Sequence, residues 1–258
     1  MRRFFFTLHK WTGLIFGLFF IILCFTGAIL AFRNEIATLF GYPNDHAMPF
    51  LQTVLKFHRW LFMAPQNPHG GMSAGRFIVG LATLCSSFTL ISGIIIWWPK
   101  NKAMLKSRFS IHFHKGWHRF VHDSHVSLGI YVVIFVLAMT LTGPSWSFTW
   151  YGNGVNSLLG SAGHPIEMRV ENQGKNGDAQ SRVTVTSLEN QQNTHPQAGA
   201  QAGPSFKRGG GVIGIHTGTW GGITTQLLYC LAALIGGFLP ISGYYMWWRK
   251  RQNKGHQS

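Results

Sequence analysis

The sequence predicts an all-α membrane protein: a four-helix transmembrane bundle with an internal two-helix repeat and both termini in the cytoplasm. Three observations lead there. Only 11% of the 258 residues are charged, against about 25% in a soluble domain. Four apolar stretches are long enough to cover most or all of a hydrocarbon core of about 30 Å at about 1.5 Å per residue. Lys and Arg also fall unevenly between the two sets of loops.

The spans are placed at 11–32, 77–98, 126–143 and 223–248. The first follows Met1-Arg2-Arg3, a start that a signal peptide would share. Its apolar run from Trp11 to Phe32 is 22 residues long, whereas a signal-peptide core has roughly 7–15, so it is read as a retained transmembrane helix. The second and fourth spans end in Trp97-Trp98 and Trp247-Trp248, each followed by basic residues, as interfacial belts are. The third is the shortest and extends N-terminally through Phe120 and Val121. Pro144 lies just past its end, and Trp146 and Trp150 serve as interfacial anchors. Gly236, Gly237 and Pro240 predict a kink in the fourth span, with no role beyond packing.

The N-terminal segment, the 99–125 loop and the C-terminal tail together hold 13 basic residues and one acid, Asp123. The other side holds nine basic residues and six acids across two longer loops. The positive-inside rule therefore puts both termini and the 99–125 loop in the cytoplasm, with 33–76 and 144–222 facing outward. This topology accounts for the net charge of +15 without nucleic acid as a partner; the partner is the lipid bilayer. The chain divides into the first three spans with their loops (1–143), a polar outward loop (144–222), and the fourth span with its basic tail (223–258). Residues 171–211, rich in Gln, Asn, Gly, Ser and Ala, are expected to be mobile, with one short strand at Arg182–Thr186. The helical pattern from Phe50 to Met63 is expected to lie against the membrane surface. Cys24, Cys85 and Cys230 fall in apolar runs and read as packing. No Cys-x-x-Cys-His occurs, which excludes covalent c-type haem attachment.

Spans one and three repeat each other. His9, Gly13 and Thr26-Gly27 match His125, Gly129 and Thr142-Gly143, with offsets of 4, 17 and 18 from the histidine in both. Spans two and four share Ile-Ser-Gly followed by Trp-Trp: Ile91-Ser92-Gly93 with Trp97-Trp98, and Ile241-Ser242-Gly243 with Trp247-Trp248. The chain thus reads as a duplicated helix pair. His9 and His125 start outward-running helices and share a depth near the cytoplasmic face. Gly13 and Gly129 lie one turn further in on the same helical face, where a missing side chain would clear space for a flat ligand such as haem. His58 and His216 precede inward-running helices and lie near the outer face. Two imidazoles fill both axial positions of a haem iron, so His9 with His125 and His58 with His216 are candidate ligands for two haems, one per membrane face. The 99–125 loop adds His112, His114, His118 and His122. His118, His122 and His125 share a helical face and leave open a divalent metal site. The repeat selects His125 as the haem ligand, with His122 as the fallback.

Taken in order, Leu8-His9-Lys10-Trp11-Thr12-Gly13-Leu14, Phe57-His58-Arg59-Trp60-Leu61, Ser92-Gly93 with Trp97-Trp98-Pro99, His125-Val126-Ser127-Leu128-Gly129 and His216-Thr217-Gly218 resemble the PepSY-associated transmembrane family of bacterial inner-membrane proteins. That family includes ferric-siderophore reductases. The resemblance implies b-type haem held at His9, His58, His125 and His216, and electron transfer to a periplasmic ferric siderophore or other Fe(III) chelate. Longer members carry PepSY domains in their outward loops. The 33–76 loop is too short for one and the 144–222 loop is compositionally poor, so this chain resembles a minimal version.

The expected function is that of a ferric-chelate reductase. No Gly-x-Gly-x-x-Gly follows a strand, so the electron donor is expected to be quinol or a separate cytoplasmic reductase. Arg59 and Arg76 outside, and Arg3, Lys10 or Arg119 inside, are candidate partners of haem propionates. The alternatives are a non-redox iron or siderophore permease accessory, or a membrane anchor that regulates a partner. A permease would need polar groups at mid-membrane, where Thr26, Ser86, Ser87 and Thr89 are the main ones and none is charged.

Overall fold

The computed structural model describes residues 1–64, 72–159 and 211–255, and among them all regular structure is helical. In chain order the helices are α1 (Arg2–Ala31), α2 (Arg33–Leu39), α3 (Pro49–Trp60), α4 (Ala74–Trp97), α5 (Lys102–Phe109), α6 (Trp117–Thr142), α7 (Thr149–Leu158), α8 (Gly211–Thr217) and α9 (Gly222–Gly255). α1, α4, α6 and α9 are long and apolar enough to cross a membrane. The strand expected at Arg182–Thr186 and the segment 171–210, expected to be mobile, lie outside the described residues.

The four long helices form a closed ring in which α1 and α6 each pack against both α4 and α9. α1 and α6, which carry His9 and His125, therefore face each other across the ring. Lipid is as apolar as leucine, so close packing rather than water exclusion must hold such helices together. Small buried residues permit it: Ala28, Ala82, Ser86, Ser87, Ser92 and Ser127. Ser86 and Ser87 donate to the carbonyls of Ala82 and Thr83 at 2.8 and 3.2 Å, so their hydroxyls are satisfied within α4. The central cluster comprises Phe20, Cys24, Val132, Val136, Ala232 and Leu239. A Cβ on Gly236 would lie 3.2 Å from Val136 Cγ2 and 3.4 Å from Cys24 Sγ. α9 passes through Pro240 as one helix.

Two spans begin well before their apolar runs. α1 starts at Arg2 and α6 at Trp117, because an unpaired backbone amide near the hydrocarbon is costly whatever side chain it bears. His9 and His125 consequently sit inside helices, where neighbouring helices can reach them.

α3 is better buried than its sequence pattern suggests. It opens with Pro49 at the first helical position, where no N–H is needed. Leu51 and Val54 are buried, and the helix packs on α1 and α4. The helical pattern expected on the membrane surface is thus seated against the bundle, since amphipathic periodicity does not distinguish a lipid partner from a protein one. The chain then reverses through Leu61 and Phe62, with φ of 48° and 63°. The left-handed region costs a non-glycine about 1–2 kcal/mol per residue. Phe57 and Phe62 stack across the reversal at 4.7 Å. The returning chain passes so close that a Cβ on Gly75 would lie 1.8 Å from the Trp60 carbonyl oxygen.

Gly75→Ala should therefore destabilise the protein by about 1–3 kcal/mol, as overpacking does. Gly13→Ala, whose Cβ would meet Thr89 Cγ2 at an ordinary 3.7 Å, should be tolerated. Thermal unfolding of the two variants in detergent checks this.

Candidate functional site

The histidines singled out by the repeat meet in pairs, one pair at each end of the bundle. At the end carrying the chain termini, the His9 and His125 ring centres lie 6.2 Å apart with planes at 89°. At the far end, His58 and His216 lie 6.5 Å apart at 63°. A metal gripped by one nitrogen of each ring at about 2.0–2.1 Å puts the ring centres roughly 6–6.5 Å apart. Both pairs therefore have the spacing of two axial imidazoles.

Each ring is held through Nδ1 by a neighbouring helix. Thr26 donates its hydroxyl proton to the Ile22 carbonyl at 2.6 Å, and its oxygen accepts from His58 Nδ1–H at 2.7 Å. Thr142 repeats this with Ala138 at 2.7 Å and His216 at 2.9 Å. His216 Nδ1–H also faces the Met139 carbonyl at 3.1 Å. Ser242 donates to the Leu239 carbonyl and accepts from His125 Nδ1–H, both at 2.8 Å. His9 Nδ1–H donates to the Thr89 carbonyl at 2.9 Å, the same oxygen that Ser92 serves at 2.8 Å. A carbonyl can only accept, and a hydroxyl whose proton is already committed must also accept. All four rings are thus set as Nδ1–H tautomers. None of the four Nε2 atoms makes a hydrogen bond among the described residues, so a lone pair remains on each. A metal-binding histidine is prepared in this way, with its other nitrogen donating to an orienting partner.

Glycines floor the rings. A Cβ on Gly93 would meet His9 Cε1 at 3.1 Å, one on Gly27 would meet His58 Cε1 at 3.4 Å, and one on Gly143 would approach His216 Cε1 at 3.6 Å. Gly13 and Gly129, singled out for ligand clearance, face Thr89 and Leu239 at 3.7 and 3.8 Å, which are contacts to neighbouring helices.

The far-end pair borders a cavity of about 220 Å³ floored by Phe20, Leu23 and Val136. Arg33, Arg59 and Arg76 line it as well. Arg33 pairs with the buried Asp45 at 3.2 Å, and Arg76 donates to the Trp146 carbonyl through Nε at 2.7 Å and also through its terminal nitrogen. Burial pushes His58 down to about 3, with His216 and Arg59 adding to the effect, and burial pushes His216 down to about 4. Both are neutral imidazoles at physiological pH, the form that binds metal.

The other basic and histidine candidates disperse. His122 contacts Asp123 at 3.3 Å, and His112 and Arg119 hold the same buried carboxylate at 2.7 and 2.9 Å. His118 lies beside Tyr245, with ring centres 6.3 Å apart. His118, His122 and His125 therefore do not converge, and no group of three His, Cys, Asp or Glu is placed to hold a metal ion among the described residues. Lys10 sits over Trp11 at 4.6 Å. At the C-terminal end of α4, Arg2 donates to the Ile96 and Trp98 carbonyls at 2.6 and 2.9 Å. Arg2, Arg33, Ser242 and the hydroxyls of Thr26 and Thr142 were not marked as site residues by sequence alone. The repeat does contain three of these five, since Thr26, Thr142 and Ser242 stand within its matched motifs.

Acid should weaken the haem-free fold in a predictable window. A free histidine takes a proton near 6.5, while His58 and His216 refuse it until about 3 and 4. The unfolded chain thus binds more protons as pH falls below about 6.5, and stability is lost progressively toward the folded values. The thermal midpoint of haem-free protein in detergent should drop from pH 7 to pH 5, and His58→Asn should make that drop shallower.

No curated protein and no solved structure matches the chain. A family model, the PepSY-associated TM region, matches residues 6–49 and 40–250. With four membrane-length helices and that match across nearly its whole length, the chain belongs to the PepSY-associated transmembrane family.

Proposed function

We propose that this protein is a transmembrane electron carrier that holds two b-type haems and reduces Fe(III) chelates, such as ferric siderophores, at its far end. The observation that carries the proposal is the pair of facing imidazoles at each end of one bundle, 6.2 and 6.5 Å apart. Haem held by two histidines supplies one-electron chemistry, with both axial positions filled.

The chain's residues define the rest. His9 and His125 would hold one group, His58 and His216 the other. Thr26, Thr142, Ser242 and the Thr89 carbonyl keep each Nε2 available. The distribution of Lys and Arg supports a bacterial inner-membrane topology with the termini and the His9–His125 end cytoplasmic, where quinol or a cytoplasmic reductase would donate electrons. The far end then faces the periplasm. Ferrous iron binds hard oxygen ligands more weakly than ferric iron, so reduction there would loosen the chelate. A permease reading draws little support. Thr26, Ser86 and Ser87 spend their hydroxyl protons on backbone carbonyls, and Thr89 on the Thr12 hydroxyl or the Cys85 carbonyl, leaving few donors to receive a polar cargo.

Protein purified from a haem-sufficient host should show a Soret band that shifts on dithionite reduction, with two haems per chain by pyridine haemochrome. His9→Ala and His216→Ala should each leave one. A colourless preparation, or stoichiometry unchanged in both variants, sinks the proposal.

A further inference from the structure

The far-end cavity holds more positive charge than its surroundings neutralise. Of its three arginines, Arg33 is matched by Asp45. Arg76 is anchored to the Trp146 carbonyl, which fixes its position, and it makes no ion pair among the described residues. Arg59 lies over the Trp60 ring at 5.0 Å and makes no ion pair or side-chain hydrogen bond among the described residues. Arg76 and Arg33 both lie close enough to repel it. His58 and His216 carry no balancing charge. Two guanidiniums thus line one largely apolar cavity with no carboxylate paired to them among the described residues. Such a cluster is stabilised by an anion, and guanidinium presents donors in a planar fork that fits a carboxylate on two points.

We propose that Arg59, backed by Arg76, is a carboxylate seat in the wall of the far-end cavity. Arg76 is held in place by its bond to backbone, while the Arg59 donors have no partner among the described residues. The carboxylate has two possible sources. One is a propionate of a porphyrin held between His58 and His216, which rests on the haem reading above. The other is a carboxylate of an incoming ferric chelate, which does not.

Arg59→Gln is the decisive variant. Arg59→Lys keeps the charge without the fork, and Lys56→Gln, an exposed position on the same helix outside the cavity lining, is the control. In the first arm, holoprotein is reconstituted with haem or with haem dimethyl ester, and loss to an excess of scavenger globin is followed by the Soret band. A propionate source predicts that wild type loses the ester about tenfold faster than haem, and that Arg59→Gln removes this difference, since a hydrogen bond to a charged group is worth about that factor or more. In the second arm, equilibrium binding of ferric citrate is compared with that of a cationic ferric trihydroxamate. A chelate source predicts that Arg59→Gln weakens citrate about tenfold and leaves the trihydroxamate unchanged, with Arg59→Lys intermediate. Either pattern supports the seat. If Arg59→Gln matches Lys56→Gln in both arms, the seat is overturned. If wild type takes up no haem, the haem reading alone fails and ferric citrate binding still decides the matter.

Discussion

Everything at the two sites depends on where four hydroxyl and carbonyl oxygens direct the imidazole protons. In an apolar bundle a polar side chain must find a partner or pay for its absence. A serine or threonine in a helix meets that need by donating to a carbonyl three or four residues back. Its oxygen is then left only to accept. An imidazole placed against it must donate, and it does so through Nδ1 at His58, His125 and His216. His9 reaches the same result on a backbone carbonyl directly. The lone pair is therefore always on Nε2, and the two rings of each pair present that atom for sharing. The same bonds hold the rings across helix boundaries, so the hydrogen bonds that set the tautomer also hold α3 to α1, α8 to α6, α1 to α4 and α6 to α9.

The duplication acquires a structural meaning from this arrangement. In the first half, α4 orients the histidine of α1, and α1 orients the histidine of α3. In the second, α9 orients that of α6, and α6 orients that of α8. Each half is thus complete in its own second layer of contacts and supplies one imidazole to each end. Neither half contains a pair. His9 meets His125, and His58 meets His216, only when the two halves close into a ring with α1 and α6 on opposite sides. A duplicated unit is the least elaborate way to build two such pairs at opposite ends of one bundle.

Much of this was legible in the sequence because repetition marks it. His9 and His125 follow from matched offsets within the spans, and His58 and His216 from their places before the two inward-running helices. What the offsets lack is direction around the bundle. Gly13 and Gly129 lie one turn from the histidines and face the same helices, α4 and α9, as the His9 and His125 rings do, but a Cβ there meets Thr89 and Leu239, and the glycines against the rings are Gly27, Gly93 and Gly143. All three belong to the Thr-Gly and Ser-Gly motifs that established the repeat. The reading treated those motifs as evidence of duplication, whereas they also supply partners to the site. Arg33 went unmarked for a similar reason. It follows a transmembrane run, where an arginine is ordinary, and only the fold of 33–60 brings it to the cavity.

The two ends of the bundle each take one imidazole from each half and differ in what surrounds them. At the termini end, Asp123 gathers His112, Arg119 and His122, which ties the segment before α6 down beside His125. At the far end, a cavity beside His58 and His216 is lined by Arg33, Arg59 and Arg76. Duplication accounts for the matched imidazoles within each pair, and the connections, which the repeat does not constrain, account for what differs between the ends. On the proposed function this asymmetry has a physical use. A small donor protein or a membrane-soluble quinol needs only an approach to the end at His9 and His125. A bulky, charged iron chelate needs an open and cationic one. The far end therefore fits the direction of reduction inferred from the positions of Lys and Arg, although the two lines of reasoning share no residues beyond the arginines of the 33–76 loop.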